Sequence, residues 1–143
     1  MSRMSIVAKA TVFAILFALV FASFPTASVM AKETNQGLED KWSQLVDNYY
    51  RQSSNHNSAH KWADHWLKTH KKASDSKTTN VEKHLNICNS AIMAAGAIVS
   101  QHAGFDAKGN VIDRGAARKS IKDLSYYLRQ HAGSIKNLNE HIN

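Results

Sequence analysis

Eight histidines and a single cysteine are the residues of this 143-residue chain with the widest chemical reach. His56 and His60 stand four apart, and so do His84 and Cys88. On a helix, side chains at i and i+4 are neighbours, so either pair could chelate a metal from one face. A third grouping needs tertiary structure. His70, His84 and His131 fall on three different apolar stripes but at the same end of the bundle that those stripes predict. Cys88 lies one layer further in. Three imidazoles with a thiolate would suit zinc or copper. The competing expectation is that each histidine on a stripe is a half-buried, hydrogen-bonded residue and that Cys88 is a small buried hydrophobe.

Other chemistry has little support. The chain has no G-x-S-x-G, no H-E-x-x-H, no phosphate loop and no C-x-x-C-H for haem. An EF-hand loop starting at Asp106 would place Lys108, Val111 and Ala117 at positions 3, 6 and 12, where calcium needs an oxygen ligand, glycine and glutamate. The residues therefore point away from an enzyme and toward a binding or structural role.

The elements that must position these residues are helices. Apolar residues recur with 4-3 spacing along three segments. The first stripe is Leu38, Trp42, Leu45, Tyr49, Gln52, His56, Ala59, Ala63, Trp66 and His70. The second runs Val81, Leu85, Cys88, Ile92, Ala95, Val99 and His102. The third runs Ala117, Ile121, Leu124, Leu128, His131, Ile135, Leu138 and Ile142. No alternation by two is sustained, so no strand is expected. The predicted helices cover about 37–71, 80–103 and 114–141. Thr79 with Glu82 has the capping-box pattern, Gly104 stands at a C′ position, and Asp113 suits an N-cap. The polar run 53–58 could break the first helix and make four. The 4-3 phase passes through it unbroken, which favours one helix.

Short connections predict an all-α, antiparallel, coiled-coil-like bundle. Taking the turns near 75 and 108 places Trp66, Leu85 and His131 in one layer. Ala63, Cys88 and Leu128 share the next, followed by Ala59, Ile92 and Leu124, and then His56, Ala95 and Ile121. Leu38, Trp42 and Leu45 overshoot the second helix. Phe105, Val111 and Ile112 of the second connection are expected to fold back and cover them, around a turn at Lys108-Gly109-Asn110. Trp42 and Trp66 are expected in the core. Trp62, near Lys61, Lys68, Lys71 and Lys72, is a candidate for lipid or glycan contact.

Residues 1–31 read as a secretory signal peptide. Arg3 and Lys9 precede an apolar run from Ala10 to Phe24, Pro25 breaks it, and Val29 and Ala31 supply the small residues that a signal peptidase requires. The alternative is an uncleaved membrane anchor over 10–31. In an exported chain the lone Cys88 can form no internal disulfide, so stability must come from packing. Removing the signal takes two of the 18 basic residues and none of the 11 acids, leaving residues 32–143 with a net charge of +5. A basic surface favours anionic envelope components. No motif specifies nucleic acid, and the regular stripes would also permit self-association.

The linker Gly104-Phe-Asp-Ala-Lys-Gly-Asn-Val-Ile-Asp113 resembles one found between helices in small exported helical proteins of bacteria. The resemblance covers this linker and the start of the third helix. It implies export and a helical hairpin, and it carries no catalytic or ligand-binding residues.

Overall fold

The computed structural model describes residues 33–70 and 75–142, and Thr34–Asn143 form one compact unit. The signal or anchor segment lies outside the described residues. Three helices make up the unit: α1 (Asn35–Thr69), α2 (Asp75–Gln101) and α3 (Arg114–Ile142). Among the described residues there are no strands, only an isolated bridge between Phe105 and Val111. No described helix is long and apolar enough to cross a membrane. The fold is an all-α helical bundle.

α1 is continuous from end to end. The polar run 53–58 stays helical because the stripe around it is anchored at both ends, by buried Leu38 and Trp42 and by buried Ala63 and Trp66. The Thr34 hydroxyl caps its start, accepting from the Gly37 N–H at 3.0 Å. At the start of α3, the Asp113 carboxylate accepts from the Gly115 and Ala116 N–H groups at 2.8 and 3.1 Å. Asp113 is the N-cap that its sequence position suggests.

α2 departs from expectation at both ends. It begins at Asp75, five residues before the expected start at 80, so Thr79 is a helix-interior residue and not a cap. A contact across the bundle helps hold this polar first turn, with Lys77 Nζ 5.6 Å from the centroid of the Trp66 ring. At the other end the helix stops at Gln101, and His102, with φ of 34°, takes the left-handed position expected of Gly104. The His102 ring pays part of that strain back by bonding through Nδ1 to the Phe105 carbonyl at 2.9 Å. Gly104 has a different task. A Cβ there would lie 2.1 Å from the Ala117 backbone nitrogen, so only glycine lets this loop dock on the first turn of α3.

The connection 102–113 closes on itself. Ile112 and Asp113 both donate N–H groups to the Gly104 carbonyl. Asp106 organises the turn, its carboxylate accepting from the Lys108 N–H, the Asn110 N–H and the Asn110 side-chain amide. Those bonds hold the Asp106 carboxyl below its ordinary range. Phe105 is buried and stacks on Trp42 with centroids 4.6 Å apart, and the Val111 N–H donates to Glu39 Oε1 at 2.8 Å. The expected cover over the start of α1 is therefore made by Phe105 and Val111. Ile112 does not take part; it is 72 % exposed.

Apart from His70 and His102 at their ends, which are exposed, the stripes face inward as read, but their register along one another differs. Cys88 was expected opposite Leu128 and instead bonds to Ser134, six residues further along α3. His56 was expected level with Ala95 and instead lies beside Asn89. Six residues amount to about 9 Å of helix. Two causes act. The early start of α2 moves the first turn back along the chain. The Gly104–Ala117 docking makes the second connection a side excursion, so α3 re-enters the bundle opposite Gly104.

Candidate functional site

This register produces a polar layer between two apolar cores. One core contains Trp42, Ala95, Phe105, Ala117, Leu124 and Leu128. The other contains Ala63, Trp66, Val81, Leu85, Cys88 and Leu138. Between them His131 of α3 is 1 % exposed. Its Nδ1 lies 2.7 Å from Gln52 Oε1 and its Nε2 lies 3.1 Å from His56 Nδ1. The Gln52 oxygen can only accept, so His131 Nδ1 carries the proton and His131 Nε2 accepts from the His56 Nδ1–H. His56 in turn lies beside Asn89 of α2. The result is a chain, Gln52–His131–His56, that joins α1 to α3 next to α2.

A second positive charge in this layer is strongly disfavoured. Burial, and then the neighbouring His56, pull the His131 pKa down to about 4. Burial and the charge of His60 also lower that of His56, while Asn89 beside it acts in the opposite direction. At neutral pH the pair is uncharged and internally satisfied.

The four residues expected to form a metal centre are dispersed. His70 caps the end of α1, stacked on Trp66 at 4.6 Å and held through Nδ1 by the Trp66 carbonyl and the Thr69 hydroxyl. His84 stacks on His141 at 5.6 Å. His131 belongs to the polar layer. Cys88 is fully buried, and burial raises its thiol to about 11 even though the Ser134 bond acts the other way. It is therefore a protonated thiol at neutral pH, a poor nucleophile. Among the described residues, no three His, Cys, Asp or Glu side chains stand close enough to share a metal ion. The register shift is the reason, because it carries His131 away from the level of Trp66 to that of His56. The His56–His131 pairing was invisible in the stripes, although Gln52 and His56, two polar residues in the middle of the first stripe, were a signal that something polar must meet them.

The surface holds a second feature. A groove runs along the seam of α1 and α3 as two adjoining hollows of about 360 and 340 Å³ that share Leu45, Asn48 and Ser125. Lys41, Arg51 and Arg129 line it, over a floor that includes Leu45, Ile121 and Leu128, and no acidic side chain does. Gln52 belongs to both features, lining the groove while its amide oxygen holds His131. Trp62 is 39 % exposed on α1 and belongs to neither core cluster. No protein-family model, curated protein or solved structure shows a significant match to this chain.

Proposed function

We propose that this chain is an exported, non-enzymatic helical bundle that acts by binding or as an envelope component. In this reading residues 1–31 direct export and are removed, and residues 32–143 form an antiparallel, coiled-coil-like bundle. The order of the contacts supports the antiparallel arrangement. Tyr49 meets Gly96, His56 meets Asn89 and Trp66 meets Lys77, while Ala103 meets Ser120 and Cys88 meets Ser134. In both series one residue number rises as the other falls.

One observation carries the non-enzymatic reading: the interior groups with catalytic potential are closed off. His131 is enclosed with both ring nitrogens bonded, so it has no free site for a substrate proton. Histidine modification by diethylpyrocarbonate, read by mass spectrometry, tests this. His65 and His102, both exposed, should react fast, and His131 only at the rate of unfolding. Fast modification of His131 in the folded protein would overturn the reading. The mass of the secreted protein tests the export half: a chain beginning at Lys32 supports cleavage, and one retaining Met1 supports the anchor over 10–31. Nothing in the arrangement of His70, His84, His131 and Cys88 favours zinc or copper.

A further inference from the structure

We propose that the His56–His131 pair is an acid-operated latch. It holds the middle of α1 against α3 at neutral pH and releases that segment, without unfolding the bundle, when both rings take up a proton. The inference goes beyond the binding reading above and does not depend on it. The segment that moves is defined by what anchors α1. The helix is fixed at its start by Leu38 and Trp42, with Leu45, Val46 and Tyr49 packed nearby, and again by Ala63, Trp66 and Leu67. From 50 to 62 no side chain is buried and none belongs to either apolar cluster. That stretch covers about 18 Å of helix. It includes the run 53–58, whose serines and asparagines compete with helical hydrogen bonding. What ties it to α3 is the pair of bonds that Gln52 and His56 make to His131, at 2.7 and 3.1 Å.

The bonding pattern counts protons. The His56 Nδ1–H donates to His131 Nε2, so His56 can take a first proton on its Nε2 and keep the bond. A second proton can go only to His131 Nε2. Two N–H groups then point at each other across 3.1 Å, and two charged rings stand 5.2 Å apart. The groups facing the pair do not offset that charge. On α1, the His60 ring lies 5.8 Å from that of His56 and adds positive charge when protonated, and beyond it Asp64 is paired with Lys68 at 2.7 Å. α2 presents the neutral Asn89 and Cys88, a protonated thiol. α3 adds a further cation, Arg129, which lines the outer seam with Gln52. Moving apart relieves the pair, because both ends of α1 are anchored by contacts that involve neither ring. Once apart, the rings meet water and titrate as ordinary imidazoles.

Amide hydrogen exchange of the full chain, read by mass spectrometry as protection factors at about pH 7 and about pH 4.5, tests this. His131 has a pKa of about 4 in the closed layer against an ordinary 6.5 when open. The open population of 50–62 should therefore rise about 50-fold between the two conditions. The amides of Ile112 and Asp113, bonded to the Gly104 carbonyl, should keep their protection. His131→Gln retains an acceptor for His56 and a donor for Gln52 but takes no charge, so it should keep 50–62 protected in acid. His56→Gln leaves one ring to charge and should do the same, which keeps the test open where the first variant does not fold. His65→Gln, at an exposed position, should leave the acid opening as it is. Unchanged protection of 50–62 at the lower pH would overturn the proposal. So would a loss spread evenly over the three helices, or an acid opening that persists in both His131→Gln and His56→Gln. None of these outcomes bears on the protection of His131 from modification at neutral pH, so the closed interior is judged separately.

Discussion

The two apolar cores on either side of the His131 layer are built differently. At the end that carries the second connection, a close backbone approach is reinforced by side chains that bond to backbone groups and by a ring stack. Gly104 lies against Ala117, Phe105 stacks on Trp42, the Ser120 hydroxyl donates to the Ala103 carbonyl at 2.8 Å, and Glu39 holds Val111. At the opposite end the contacts are made by side chains. Trp66 carries His70 on one face and Lys77 nearby, His84 stacks on His141, and Leu138 fills the centre. There His84 Nδ1 is buried without a hydrogen-bond partner, and burial followed by the charges of His141 and Lys83 lowers its pKa. The comparison teaches that the register of the bundle is imposed from the first end and merely accepted at the second.

The largest effect should come from breaking that first end. Gly104→Ala places a methyl group against the Ala117 backbone in a left-handed conformation, with no flexible side chain to give way. We expect a loss above about 4 kcal/mol in chemical denaturation. Leu138→Ala at the other end should cost about 2–5 kcal/mol as an ordinary cavity. A loss below about 1 kcal/mol for Gly104→Ala would mean that the docking does not set the register.

The layer between the ends should give an intermediate effect, read through pH. His131 has a folded pKa near 4 against an ordinary 6.5, so between those values the unfolded chain binds more protons than the folded one. Stability therefore rises with pH in this window. It is complete above 6.5 and falls by up to about 3 kcal/mol as pH drops to 4. The lowered pKa values of His56 and His84 act in the same direction. His131→Leu should flatten the profile in urea melts at stepped pH. An unchanged slope would place the acid sensitivity elsewhere.

The smallest effect should come from the side-chain end. Lys77→Ala removes the cation beside Trp66 and should cost about 0.5–1 kcal/mol. Faster amide exchange should be confined to the first turns of α2. A global change would show that this end shares in fixing the register.

Much of the fold was legible because helix formation is local. The 4-3 stripes name the buried faces, Asp113 names the start of α3, and the overhang of Leu38 and Trp42 called for a cover that Phe105 provides. The start of α2 was not legible, since a solvated first turn such as Ser76-Lys77-Thr78 has the composition of a loop. It is helical in part through a contact with Trp66, in another helix.

By itself, then, the sequence determined that three helices form and, along most of each, which face turns inward. Only the tertiary structure decided which residues meet. A stripe with 4-3 spacing presents nearly the same face after a shift of three, four or seven residues, so the burial pattern alone does not fix the register. The degeneracy is lifted by backbone contacts at Gly104 and by the short first connection, neither of which belongs to a stripe. That choice separates His70, His84, His131 and Cys88. It also joins His131 to His56 and lays Arg51 and Arg129 along the two banks of one groove.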